Sequence, residues 1–229
     1  MREALLDKSQ EMLEQARATR DEELAVLRQV DVAISYSEVE QAVIQSHNFE
    51  ATKTAACPWV VDVLEKVPSF EDRRDIAFLG GFGHTPNVVA VRWFTAEVMP
   101  LLRKKVPGIR FLVYGSKMPE DFKKMESEDV ILKGYVKSTD EVYDQTRIFV
   151  SPLLTGAGLK GKVIGALARG AVSVLTPTAA EGTGIRNGLE AVVAETAEAW
   201  ASAIADLYSN QTQWEKVSAA AQALARESY

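Results

Sequence analysis

Apolar and polar positions change rhythm twice along the 229-residue chain. Over residues 3–28, Leu6, Leu13, Ala16, Leu24 and Leu27 recur among charged side chains with no glycine or proline. That spacing predicts a long amphipathic helix with a thin apolar stripe. A short strand follows in DVAISYS, 31–37. Ser37 then marks the start of a helix over EVEQAVIQSH, with Glu40 three residues later completing a capping-box pattern. ATKTAACPWVV, 51–61, reads as a further strand entering a turn, and the polar EKVPSFEDRRD, 65–75, as a linker.

From residue 75 the alternation becomes regular. The strands are DIAFLGG, IRFLVYG, VILKGYV, IFVSPLL, AVSVLTP and a short LEAVVAE. Between and after them fall the helices NVVAVRWFTAEVMPLLRKK, PEDFKKM, TDEVYDQT, KVIGALARG, TAEAWASAIADLYS and QTQWEKVSAAAQALARES. The first carries Val88, Val91, Trp93, Phe94, Val98 and Leu101 on its inner side, so Trp93 and Phe94 read as core residues. Short apolar strands alternating with helices define βαβ units, hence an α/β fold with a doubly wound parallel sheet covered on both faces. No internal repeat or low-complexity tract interrupts it.

Composition narrows the field by exclusion. Hydrophobic content of 47% suffices for a sizeable core, and a formal charge of −6 argues against bulk attraction to nucleic acid. The single cysteine, Cys57, excludes an intramolecular disulfide and is expected to be buried; with only two histidines, no metal-ligand spacing exists. No apolar run approaches a membrane span, and the N-terminus is too charged for a signal peptide, so a soluble, reducing compartment is expected.

In an open parallel sheet, ligands sit outside the carboxyl ends of the strands, and three loops there carry candidate chemistry. GGFGHTPN, 80–87, could bring backbone close to a phosphate or be a bare strand-to-helix turn; His84 lies on it. Gly81 and Gly83 fit two positions of a dinucleotide fingerprint, but Pro86 takes the third and the ribose-binding acidic residue is missing. Gly134 and Tyr135 in LKGYVKST could meet a base edge or close a turn. In SPLLTGAGLKGKVIGALARG, Lys160 stands where a helix begins, and Gly156, Gly158 and Gly161 clear the approach of an anion. The other reading is a tight loop with two solvated lysines, Lys160 and Lys162. His47 and the run Arg103, Lys104, Lys105 read as favourable cations at helix ends.

Taken in order, FLGGFGHTPNVVAVRWF, FLVYG, VILKGYV and VSPLLTGAGLKGKVIGALARGAVSVLTPTAAEG resemble the donor-binding half of the group 1 (family four) glycosyltransferases, which have the GT-B fold. The resemblance covers residues 75–229. QVDVAISYSEVEQAVI is similar to the end of the acceptor-binding half in such enzymes. It implies that 1–60 is the tail of that half, 61–74 a linker and 75–229 a Rossmann-like nucleotide-sugar-binding domain. The chain would then be a truncated piece or a fragment of a longer enzyme, ending where a helix returning to the first domain is expected.

The resemblance implies a nucleotide diphospho-sugar as substrate, no cofactor, no essential metal, transfer with retention, and a glycan or lipid-linked acceptor. By position, Gly80, Gly81 and Phe82 would line the diphosphate and acceptor side, with His84 near the sugar. Gly134, Tyr135 and Val136 would meet the base, and Lys160, beside the backbone of Gly158 and Leu159, would neutralise the leaving diphosphate. Bacterial polysaccharide assembly on the cytoplasmic side, peripheral to a membrane, is the implied setting.

Two departures stand out. The paired glutamates of the family fall on Ala157 and Gly165, so the carboxylate that meets the ribose is absent at Gly165, with Glu181 as a partial substitute. The basic residue of the first loop is also missing, His84 and Asn87 standing there instead. These departures keep open a catalytically silent binding or assembly module, and more weakly an NAD-dependent oxidoreductase. The apolar stripe of the N-terminal helix would suit a homodimer.

Overall fold

The computed structural model describes residues 9–47, 49 and 51–229, which fall into two units. One comprises the chain up to Trp59 with Thr155–Leu159; the other comprises Val60–Leu154 with Lys160–Tyr229.

In the first unit, helix α1 (Gln10–Leu27) precedes strand β1 (Val32–Ser35), helix α2 (Glu38–Gln45) and strand β2 (Lys53–Ala56), and the two strands pair in parallel. The part of the predicted helix before Ser9 lies outside the described residues. Ser37 caps α2 as its sequence position predicts, its hydroxyl accepting from the Glu40 backbone N–H at 3.2 Å. Strand β2 is much shorter than 51–61, because pairing ends when the Cys57 N–H donates to the Ser35 carbonyl just ahead of Pro58. Cys57 is exposed, contrary to the expectation of burial. It follows the last paired residue of β2, just ahead of Pro58, where its side chain faces solvent.

The second unit is built on six parallel strands: β3 (Arg74–Leu79), β4 (Phe111–Tyr114), β5 (Val130–Gly134), β6 (Thr146–Ser151), β7 (Val172–Leu175) and β8 (Val192–Val193), in the order β5-β4-β3-β6-β7-β8. The chain runs outward from β3 to β5, returns to lay β6 beside β3, and runs outward the other way. Strand order therefore reverses between β3 and β6. Alternate residues of β3 serve opposite faces. Ile76 and Phe78 join a core with helix α3 (Thr85–Trp93), α4 (Met99–Lys105) and α8 (Ala197–Ser209); Ala77 and Leu79 join one with α5 (Thr139–Gln145) and Ala166 of α6 (Gly161–Ala168).

Phe94 is buried as predicted, its ring 4.6 Å from that of Phe111 and 5.8 Å from that of Trp200. Trp93 is half-buried and packs edge-on against the same tryptophan. Between α3 and α4 the helix widens into a π turn over Phe94–Val98. Pro100 follows, whose missing N–H and ring disfavour an uninterrupted α ladder. Helices α7 (Pro177–Ala180) and α9 (Gln211–Ser228) complete the unit.

The segment 61–74 is not a slack tether. Val61 and Val63 pack beside Leu167 and Ala225, and the Leu64 carbonyl accepts from the side chains of Gln222 and Arg226 on α9. Arg73, which reads as linker charge in the sequence, is fully buried. Its guanidinium donates to the carbonyls of Pro68, Tyr143 (2.5 Å) and Arg169 (2.6 Å) and lies 5.5 Å from the Trp214 ring centroid. Arg103 is exposed in the last turn of α4, as its reading as a helix-end cation predicts, and forms a bidentate pair with Asp129.

Candidate functional site

The reversal of strand order brings the loops after β3 and β6 together at the carboxyl edge of the sheet, where such folds bind ligands. The first of these loops is rigidly held. The Gly80 N–H donates to the Tyr114 carbonyl at 3.0 Å and the Phe82 N–H to the Ser116 carbonyl at 2.9 Å. Gly115, with φ +151°, sits so close that a Cβ there would lie 1.8 Å from the Gly80 carbonyl oxygen. Asn87, in the first turn of α3, covers Gly80, and its Nδ2 donates to the Gly81 carbonyl at 2.8 Å. His84 is the exposed N-cap of α3 and makes no side-chain cap; its carbonyl accepts from the Asn87 N–H at 3.0 Å, and Pro86 between them has no N–H to offer. The Phe82 side chain departs from the expected lining role. It is buried against Phe78 and Phe122, so the core takes the ring.

After β6, Lys160 is the N-cap of α6, its carbonyl accepting from the Val163 N–H at 2.8 Å. Only 8% of Lys160 is exposed, which removes the solvated-turn reading for this residue. Lys162 is half-buried. Its Nζ donates to Asn87 Oδ1 at 2.6 Å and stands 4.3 Å from the Phe78 ring centroid, joining the first turn of α6 to that of α3. Desolvation, followed by the neighbouring Lys160 charge, pushes its pKa down to about 7. The roles of Lys162 and Asn87 escape the sequence reading. Spacing alone does not tell which lysine of LKGK meets a neighbouring helix.

Gly165 has a packing reason. A Cβ there would lie 3.0 Å from the Tyr143 ring and 3.1 Å from its hydroxyl. That ring is buried, its O–H donating to the Lys162 carbonyl at 3.0 Å. The absent carboxylate is thus also an absent clash, which lets α5 and α6 approach. Gly165→Glu is expected to lower stability by about 1–3 kcal/mol through overpacking, despite the better helix propensity. Thermal melts check this, and a double-mutant cycle with Tyr143→Ala should show costs that are not additive.

The remaining candidates lie at the end of β5 and on the loops after β5, β6 and β7. Gly134 ends β5 with φ +74°, and its carbonyl accepts from the Gly115 N–H. Tyr135 is 72% exposed, whereas Val136 packs partly on the second core. Glu181 follows α7, beyond β7, and is half-buried. Gly158 and Leu159 belong to the first unit, where Gly158, with φ +73°, lies against Glu40. Among the described residues no group of three His, Cys, Asp or Glu side chains is placed to hold a metal. No described helix is long and apolar enough to cross a membrane.

A six-stranded parallel sheet with its order reversed at the centre, helices on both faces and basic residues at the switch point defines a Rossmann-like domain of the GT-B type. The family model for "Glycosyl transferases group 1" matches residues 73–210, and the chain belongs to that family. A Klebsiella pneumoniae protein described as an uncharacterized 44.6 kDa protein in the cps region is 26% identical over 164 residues, 68% of this chain and 42% of its own length. The pneumococcal O-GlcNAc transferase GtfA, solved with UDP and GlcNAc, superposes with a TM-score of 0.74 at 18% identity, over 90% of this chain and 44% of that one. The C-terminal domain of the Francisella tularensis group 1 glycosyl transferase LpcC superposes with a TM-score of 0.58 at 17% identity, over 73% of this chain and 97% of that domain. The chain thus spans about two fifths of the length of the first two.

Proposed function

We propose that the second unit binds the nucleotide diphospho-sugar donor of a retaining glycosyltransferase, the diphosphate resting at the β3–β6 switch point. The observation that carries this reading is Lys160, a buried residue at the N-cap position of α6, where a positive side chain and the helix dipole can attract the same anion. In transfer, the bond from the sugar's anomeric carbon to the diphosphate oxygen breaks with its electrons going to the nucleotide. An acceptor hydroxyl then attacks the same face of the sugar through its oxygen lone pair and gives its proton to the departing diphosphate oxygen. Lys160 and the first-turn N–H groups of α6 stabilise the negative charge as it develops on the leaving diphosphate. Tyr135 offers an exposed ring on which the base can stack, beside the backbone of Gly134. A glycan or lipid-linked acceptor and a place in polysaccharide assembly suit a relative from a cps region.

The test is titration calorimetry of UDP, GDP, dTDP and ADP against this chain and its Lys160→Ala variant. One nucleoside diphosphate is expected to bind preferentially, about 10- to 100-fold more weakly once the charged contact is lost. Equal affinity for both proteins would remove Lys160 from the site.

A further inference from the structure

We propose that Lys162 is a second diphosphate-binding cation of this site, held on Asn87 in the free protein and transferred to the ligand when a nucleotide binds. The inference rests on the donor-binding reading above and adds a residue and a proton to it.

The geometry asks for such a role. Lys162 Nζ has an amide oxygen and an aromatic face as its contacts, and among the described residues it forms no ion pair. Even a half-buried ammonium loses part of its hydration, and here an amide oxygen and a ring replace it where a structural lysine would be expected to have a carboxylate. The Asn87 amide is oriented to receive it, since Nδ2 is committed to the Gly81 carbonyl and Oδ1 is left for the lysine. The contact therefore sits on the glycine loop, where 80–87 contains no lysine or arginine of its own. Lys162 brings the missing charge from the other helix of the switch point.

The surroundings set the protonation. From β3 and α3 the contacting side chains are the neutral Phe78 and Asn87; α5 contributes Tyr143, whose hydroxyl is bonded to the Lys162 carbonyl; its own segment contributes the cation Lys160. All of these leave the free lysine easy to deprotonate near neutral pH. A diphosphate arriving opposite it reverses the balance, so binding takes up a proton and weakens as pH rises above about 7. The free protein carries the converse signature. Because the folded pKa lies below the ordinary lysine value, Lys162 opposes folding fully below about 7, and the opposition fades as pH rises toward 10.5. The neutral isostere Lys162→Met is therefore expected to melt above the wild type at pH 6, with the gap closing by pH 10.

The deciding experiment is calorimetry of UDP, GDP and inorganic pyrophosphate at pH 8 in buffers of low and high ionisation enthalpy. The wild type is expected to take up about 0.5–1 proton per ligand bound. Lys162→Met should take up none and bind at least about tenfold more weakly. Lys162→Arg, charged throughout, should keep most of the affinity without proton uptake, which a merely structural lysine would not produce. If a nucleotide binds the wild type without proton uptake, and Lys162→Met binds it equally well, the inference fails and the donor site stands. If none of the three ligands binds the wild type, both readings fall.

Discussion

Gly115→Ala is expected to lower the melting temperature by about 10 °C or more and to abolish nucleotide binding. A Cβ at this position would lie 1.8 Å from the Gly80 carbonyl oxygen and 2.8 Å from the Phe82 ring, and φ of +151° is a region that side chains rarely adopt. The obstacle is backbone, which no rotamer change relieves. Either the end of β4 separates from the loop after β3, or that loop moves as a body. Both outcomes break the bonds from Gly80 and Phe82 to residues 114 and 116, and both carry Asn87 away from Lys162. A cost of about 4 kcal/mol belongs to the small class of severe substitutions, and in a domain of this size corresponds to the fall just stated. Differential scanning calorimetry with a nucleotide titration decides the matter. A native melt with unchanged affinity would mean that the two loops are not locked together.

Arg73→Met is the second large effect, expected to cost about 3–5 kcal/mol. The methionine preserves much of the buried stem but removes a fork that donates to the carbonyls of Pro68, Tyr143 and Arg169 at once. The last two lie at the carboxyl ends of α5 and α6, where helix oxygens lack partners of their own. Burial pulls the Arg73 pKa down to about 10, which still leaves it charged throughout the neutral range. Arg73→Lys should recover little, since one ammonium cannot span carbonyls arranged for a planar fork. Urea unfolding of the two variants measures this. A midpoint close to that of the wild type for Arg73→Met would show that water replaces the guanidinium without loss.

The first five strands of the second unit were legible because each is a short apolar run closed by glycine or proline, the pattern of a sheet buried on both faces. Ser37 was legible for a local reason: a cap and its partner are three residues apart. What escaped were the interactions whose partners are far apart in sequence. Arg73 sits in a polar stretch, and its acceptors on α5 and α6 lie 70 to 96 residues away. Lys162 and Asn87 are 75 residues apart, and neither is unusual in its own segment. Gly165 read as the loss of a carboxylate because its neighbour Tyr143 stands on a different helix. Cys57 was misjudged because composition ranks cysteine among buried residues, whereas the local chain had already left its strand. Order and period are written locally, while the meeting of side chains at the switch point depends on the completed sheet.

The outer strands of that sheet have a consequence for how the molecule behaves in company. Strand β8 offers only Val192 and Val193 to the ladder. At the opposite side, β5 meets β4 through a register shift, carries the exposed Lys133, and stops at a glycine with positive φ. A stray strand from a neighbouring molecule needs a long, flat, uncharged border on which to pair. One border here is too short and the other is irregular and charged, so the domain can hold a largely apolar parallel sheet in crowded solution without seeding the edge-to-edge growth from which β-rich aggregates begin.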